Sequence, residues 1–184
     1  VTDHNGCIIS DSVLVEQPGA MVVTLEKVEP ECANGQDGRI RVLVSGGKTP
    51  YRYSLNGGPF GGSSVFIALG AGTYTVQVRD ANGCIASAGT SLPQPPAVEV
   101  YVGIDTTLIL GDSLLLSPLV NYAVGLTTFE WTSVLVDSFT CADLPDCEEI
   151  WVNPGFTNTY RLKVTDANGC MGTDEIRVTV EKPI

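Results

Sequence analysis

The groups in this chain with chemistry to offer are six cysteines, one histidine and 21 carboxylates set against 10 basic side chains. A nucleophile–base–acid triad needs a histidine, and the only one is His4, inside Asp3-His4-Asn5-Gly6-Cys7, a run that reads as a hairpin turn. Paired carboxylates, as in a glycosidase, could be sought in Asp143 with Asp146 and Glu148 with Glu149. These flank Cys141 and Cys147, so they read first as the solvated face of a short disulfide loop and are kept as a candidate ligand loop rather than a catalytic one. Asp-Ala-Asn-Gly, at residues 80–83 and 166–169, begins like a calcium loop. Its third ligand would fall on Cys84 or Cys170, and no glutamate closes it, so the EF-hand pattern fails. A calcium site between Asp137 and Glu149 has no motif behind it, and no cofactor is expected. With no glycine-rich loop opening a helix either, no catalytic constellation assembles, and the chain is read as non-enzymatic.

The cysteines point to covalent cross-links instead. Six of them without zinc-type Cys/His spacing, in a chain poor in lysine, favour disulfides and an oxidising compartment. Cys32 and Cys84 are the only two between residues 18 and 94 and are expected to pair, which the loop-entropy model values at about 4 kcal/mol. Cys141 and Cys147 are expected to close their own short loop. Cys7 and Cys170 remain: a partner upstream of residue 1 is expected for Cys7, while Cys170 is open to a free thiol, a rearranged pairing with Cys141 or Cys147, or an intermolecular bond.

The element that positions these cysteines is a five-residue turn repeated three times, Asp3 to Cys7, Asp80 to Cys84 and Asp166 to Cys170. Asp in first place binds its own backbone, Asn tolerates the third place, and Gly supplies a left-handed fourth. Thr73-Tyr74-Thr75-Val76-Gln77-Val78-Arg79 and Thr159-Tyr160-Arg161-Leu162-Lys163-Val164-Thr165 precede two of the copies with every second residue apolar, the period of a half-buried strand. Gly (20 residues) and Pro (11) punctuate similar short runs along the chain, and no helical periodicity of ten residues or more is found, so the chain is expected to be all-β. Gln-Pro steps at Gln17-Pro18 and Gln94-Pro95 end two runs. They suggest a terminal hairpin of an upstream repeat at 1–17, a β-sandwich at 18–94 and a second at 95–184, joined end to end in an array cut from something longer. In the last unit Phe129-Glu130-Trp131 reads as a central strand of an immunoglobulin-like sandwich. Trp131 and Trp151 are expected in its core, although Trp151 and Tyr122 would be the aromatic candidates for a sugar platform.

A net charge of −11 excludes nucleic acid as a natural partner, because phosphate binding needs a cationic face. No apolar run is long enough to span a bilayer, so no direct membrane insertion is expected.

Between Cys32 and Cys84 the string Cys32, Asn34-Gly35, Gly38-Arg39-Ile40, Gly46-Gly47, Pro50-Tyr51-Arg52-Tyr53-Ser54-Leu55-Asn56-Gly57-Gly58, Leu69, Ala71-Gly72-Thr73-Tyr74-Thr75-Val76, Asp80 to Cys84 resembles the SprB-type repeat of large surface adhesins of gliding bacteria. The last unit resembles the PKD-like and immunoglobulin-like modules that accompany such repeats. The resemblance implies tandem immunoglobulin-like β-sandwich domains, export by the type IX route to the cell surface, and a structural or adhesive role in a stalk, filament or gliding appendage. The alternative is a module that binds glycan or protein. Partners implied are further repeats of the same chain, a homo-oligomer or filament, and surface glycans or proteins. Asp11-Ser12-Val13 and Asp112-Ser113-Leu114 also resemble O-glycosylation sequons of bacteria carrying these repeats, making Ser12 and Ser113 candidate sites.

Overall fold

The computed structural model describes residues 1–2, 4–13, 19–142 and 146–183, and among these every regular element is a strand. Six strands cover the first half: β1 (Val22–Val28), β2 (Gly38–Ser45), β3 (Arg52–Leu55), β4 (Val65–Leu69), β5 (Gly72–Arg79) and β6 (Ile85–Leu92). They form two three-stranded sheets, ordered β1-β2-β4 and β3-β5-β6. The alternation read from the sequence is the burial pattern: Ile40 and Val42 of β2 and Val76 and Val78 of β5 are buried, whereas Arg39, Arg41 and Arg79 are exposed. Each such aliphatic side chain removed from water contributes about 1.5–3 kcal/mol. β3 runs antiparallel to β5, with Tyr53 opposite Val78 and Leu55 opposite Val76. It ends in Asn56-Gly57, both at positive φ, where the Gly58 N–H donates to the Leu55 carbonyl at 3.0 Å. A reversal that needs left-handed backbone at two successive residues is why Asn-Gly stands there.

Nine strands follow: β7 (Glu99–Tyr101), β8 (Thr106–Ile109), β9 (Leu114–Leu116), β10 (Leu119–Asn121), β11 (Thr128–Ser133), β12 (Phe139–Cys141), β13 (Ile150–Val152), β14 (Asn158–Thr165) and β15 (Met171–Glu181). The largest sheet is ordered β11-β14-β15-β8, antiparallel except for the parallel β15–β8 pair; β12-β13-β9 forms another, and β10 pairs with β7. One core cluster holds Val102, Leu116, Trp131, Ile150, Val152, Tyr160, Leu162, Val164, Ile176 and Val178. The strand carrying Phe129 and Trp131 lies at the edge of its sheet and not in the centre, because β14 and β15 each pair on both sides while β11 pairs only with β14. Trp131 is nonetheless buried, since its side chain points off the sheet face into the core.

Packing divides the chain into two compact units. The first comprises Val1–Glu26, Ile40–Phe66 and Thr73–Thr90, and the second Lys27–Arg39, Ile67–Gly72 and Ser91–Ile184. The second unit thus takes in residues 27–39, which lie well upstream of the Gln94-Pro95 step.

In the N-terminal stretch, Thr2 bridges Ile8, and Val1 and Ile9 exchange backbone bonds at 2.8 and 2.9 Å, which closes the reversal around His4 and Asn5. Residues 9–13 are not strand, although the hairpin expected at 1–17 calls for one after its turn; Asp3 and the Gln17-Pro18 step lie outside the described residues.

Candidate functional site

The two fully described Asp-Ala-Asn-Gly-Cys turns have the same bonds, atom for atom. In the first, one Asp80 carboxylate oxygen, Oδ1, accepts the N–H groups of Asn82 (2.9 Å) and Cys84 (2.8 Å), while Oδ2 accepts the Lys48 N–H (3.0 Å). The Ala81 N–H donates to the Lys48 carbonyl at 2.8 Å, and the Asp80 N–H to the Cys84 carbonyl at 3.0 Å. In the second, Asp166 Oδ1 accepts from Asn168 and Cys170, both at 2.9 Å, and Oδ2 accepts from Val124 at 3.0 Å. The Ala167 N–H donates to the Val124 carbonyl at 3.0 Å, and the Asp166 N–H to the Cys170 carbonyl at 3.0 Å. Gly83 and Gly169 sit at φ 86° and 83°, where a side chain would strain the backbone. Sequence reasoning reached the turn but not the tie that each aspartate makes to a distant loop through its second oxygen.

Converging N–H donors favour a charged carboxylate. The Lys48 N–H, ahead of a smaller opposing effect of burial and further bonds from Cys84, Asn82 and Gly83, holds Asp80 below its ordinary value. At Asp166 burial pushes upward most strongly, but the N–H groups of Val124, Cys170, Asn168 and Gly169 together outweigh it, and the net direction is again downward.

The turns differ in what their cysteines do. Cys170 is buried and bonded to Cys32, with Cα atoms 5.3 Å apart, both residues belonging to the second unit. Cys84 is exposed and free. The expected Cys32–Cys84 bond is therefore corrected to Cys32–Cys170. The reason is one of packing: Cys84 belongs to the first compact unit, which does not include Cys32. Of the alternatives open for Cys170, none named Cys32. Cys141 and Cys147 are bonded to each other across six residues, and Cys7 is exposed.

The candidate ligand loop is described at Asp146, Glu148 and Glu149; Asp143 lies outside the described residues. The Ala142 N–H donates to the Glu149 carbonyl at 2.8 Å, and Trp131 Nε1 donates to the Glu148 carbonyl at 3.2 Å, so the backbone of this segment is anchored on the core. Glu149 Oε1 accepts from Ser117 Oγ. Among the described residues no three of His, Cys, Asp and Glu come together as a metal cluster, and no helix is long and apolar enough to cross a membrane.

Trp151, expected in the core, is 46% exposed, because the strand period that turns Ile150 and Val152 inward turns Trp151 outward. It borders a hollow of about 200 Å³ with Ser113, Ser138, Phe139, Thr140 and Asn153, where Asn153 Nδ2 donates to Ser113 Oγ at 3.0 Å. Tyr122 is also exposed, on a loop, and the candidate sequon serines Ser12 and Ser113 are both exposed.

A larger concavity, of about 490 Å³, lies on the outer face of the β11-β14-β15 sheet. Its charged groups form cross-strand ion pairs, Lys163 Nζ to Glu130 at 2.5 Å and Arg161 Nε to Glu175 at 2.6 Å, and Asp174 accepts the Val102 N–H at 2.9 Å. Paired and half-exposed, these groups secure the face and register of the sheet more than they supply an acid or a base. Under the sheet, the buried Tyr160 hydroxyl donates to the Asp137 carboxylate. Burial first, then that bond and the charge of Asp137, push the phenol above its ordinary range. His4 is exposed in its turn.

Residues 24–60 match the family model of the SprB repeat. No curated protein matches the chain in sequence. Among solved structures, the I9–I11 tandem of titin aligns over 88% of this chain and 66% of that one, at 10% identity and a TM-score of 0.50. The tandem Ig repeats of Dlar align over 89% and 98% at 14% identity and a TM-score of 0.36, and the fibronectin(III)-like modules of Clostridium thermocellum CbhA over 88% and 95% at 13% and 0.35. Residues 24–60 are thus similar to the SprB repeat, and the fold is all-β and immunoglobulin-like.

Proposed function

We propose that this chain is a non-enzymatic structural and adhesive segment of a secreted cell-surface protein, in which sandwich repeats delimited near Gln94-Pro95 set the reach of a stalk, filament or gliding appendage. The observation that carries this reading is the SprB repeat at residues 24–60, joined to a covalent framework of disulfides. A disulfide-linked sandwich suits an oxidising exterior where a domain must resist pulling and proteolysis. The low identity and TM-scores of the solved neighbours support the fold alone, so the adhesive role rests on the repeat. The partners that follow are further repeats and copies of the same protein, with no nucleic acid. An in-frame deletion of residues 1–184 from the exported protein tests the reading. A shorter appendage or weakened attachment to surfaces is expected, and unchanged length and attachment would overturn it.

Exposed Trp151 favours a second role for the last module. An indole face beside Ser113, Ser138, Thr140 and Asn153 offers the stacking surface and hydroxyl or amide groups that a saccharide uses. On a glycan array, retention that is lost in Trp151→Ala would establish this role, and an array with no retention would remove it. Ser113, on the same hollow, and Ser12 are the residues at which O-glycosylation is proposed; intact-mass measurement of the exported protein decides it.

A further inference from the structure

Cys84 and Cys170 occupy the same place in turns that share every bond, yet Cys170 is bonded and Cys84 is free. The partner of Cys170 is not in its own sequence copy. It is Cys32, which stands 52 residues before the turn cysteine of the preceding copy, in a loop closed by the Gly35 N–H to the Cys32 carbonyl at 2.9 Å. The bond is thus staggered: a turn cysteine of one copy takes a loop cysteine of the copy before it. At Cys170 the incoming loop also supplies the Glu31 carbonyl, 3.5 Å from Sγ. At Cys84 the thiol borders a cavity of about 220 Å³ lined by Gly19, Ala20, Met21, Gly47, Asp80 and Asn82.

We propose that Cys84 is one half of a second staggered disulfide, whose other half is a cysteine in the position of Cys32 carried by another repeat of the same kind. Cys32 of the same chain cannot serve, since it is held by Cys170. The cavity beside Cys84 is the place for the incoming loop, as the Glu31–Cys32 segment is for Cys170. Joining two thiols releases two protons and two electrons, which requires an oxidant of the disulfide class. The Cys84 thiolate attacks a mixed disulfide on the incoming cysteine and expels the carrier as a thiolate, so one S–S bond breaks as the new one forms. The exposure of Cys84 leaves it open to that attack. Repeated along an array, this stagger would join each sequence copy to the next by a disulfide as well as by the polypeptide.

The proposal rests on the array reading, and the test separates the two. The exported protein is alkylated with iodoacetamide on intact cells, digested without reduction and mapped by mass spectrometry. The expected result is a Cys84 peptide cross-linked to a loop-cysteine peptide of another repeat and released by reduction. Non-reducing electrophoresis then assigns the source: an unchanged apparent chain mass places the partner in the same polypeptide, and a doubled mass places it in a second copy. Cys84 recovered as the carbamidomethyl derivative from a protein that contains further such repeats, or bonded to Cys7, would overturn the staggered linkage and leave the array intact. A protein without further repeats would overturn both.

Discussion

Removing the Cys32–Cys170 bond should be the most damaging single chemical change to the second unit. The bond closes 138 residues, and restricting a loop of that length in the unfolded chain corresponds to about 5 kcal/mol, whereas the six-residue loop of Cys141–Cys147 corresponds to about 2 kcal/mol. Both tryptophans of the chain, Trp131 and Trp151, lie in the second unit, so urea unfolding followed by tryptophan fluorescence reports on that unit. At a slope of about 2 kcal/mol per molar, Cys32→Ala with Cys170→Ala lowers the urea midpoint by about 2.5 M, and Cys141→Ala with Cys147→Ala by about 1 M. Cys84→Ala leaves the midpoint where it was. A midpoint that falls in Cys84→Ala and holds in Cys170→Ala would refute the pairing. A smaller loss for the long loop than for the short one would refute the loop-entropy reasoning.

Three further outcomes follow from individual contacts. Tyr160→Phe keeps the buried ring and deletes the bond to Asp137; a hydrogen bond to a half-exposed charge is worth about 1.5 kcal/mol, read as a lower thermal midpoint, and an unshifted midpoint would show that the bond contributes nothing. A Cβ on Gly172 would stand 2.5 Å from the Val98 carbonyl oxygen, so Gly172→Ala should cost about 1–3 kcal/mol, checked by the same unfolding curve. Asp80 and Asp166 are both held below the 3.8 of an unperturbed aspartate, so the unfolded chain takes up their protons first. The stability they confer is complete above that value and lost as pH falls through their lower native values. Acid titration of the urea midpoint of the second unit should show this fall, and Asp166→Asn should flatten it; an unflattened curve would contradict the assignment.

Much of the fold was legible because its rules are local. Asp, Asn and Gly at fixed places dictated the turns, and alternation placed Ile40, Val42, Val76, Val78, Leu162 and Val164 inward. The same rule, applied to Ile150-Trp151-Val152, already turns Trp151 outward; the expectation of a core tryptophan came from residue type and overrode the period. The cysteine pairing was not legible. It depends on which segments pack together: 138 residues of chain separate Cys32 from Cys170, its partner in the second unit, and no local pattern records that return. The edge position of β11 was hidden for the same reason, since sheet order is a property of pairing and not of any one strand. The Asp137 partner of Tyr160 and the Lys48 and Val124 ties of the turn aspartates are long-range contacts with no spacing signal.

The central claim, a structural repeat segment displayed outside the cell, is tested most directly by immunogold electron microscopy of intact, unpermeabilised cells with an antibody raised against residues 19–184. Gold distributed along appendages that project from the cell surface is the predicted result. Labelling that appears only after permeabilisation, or that lies in the cell body and never along an appendage, would contradict it.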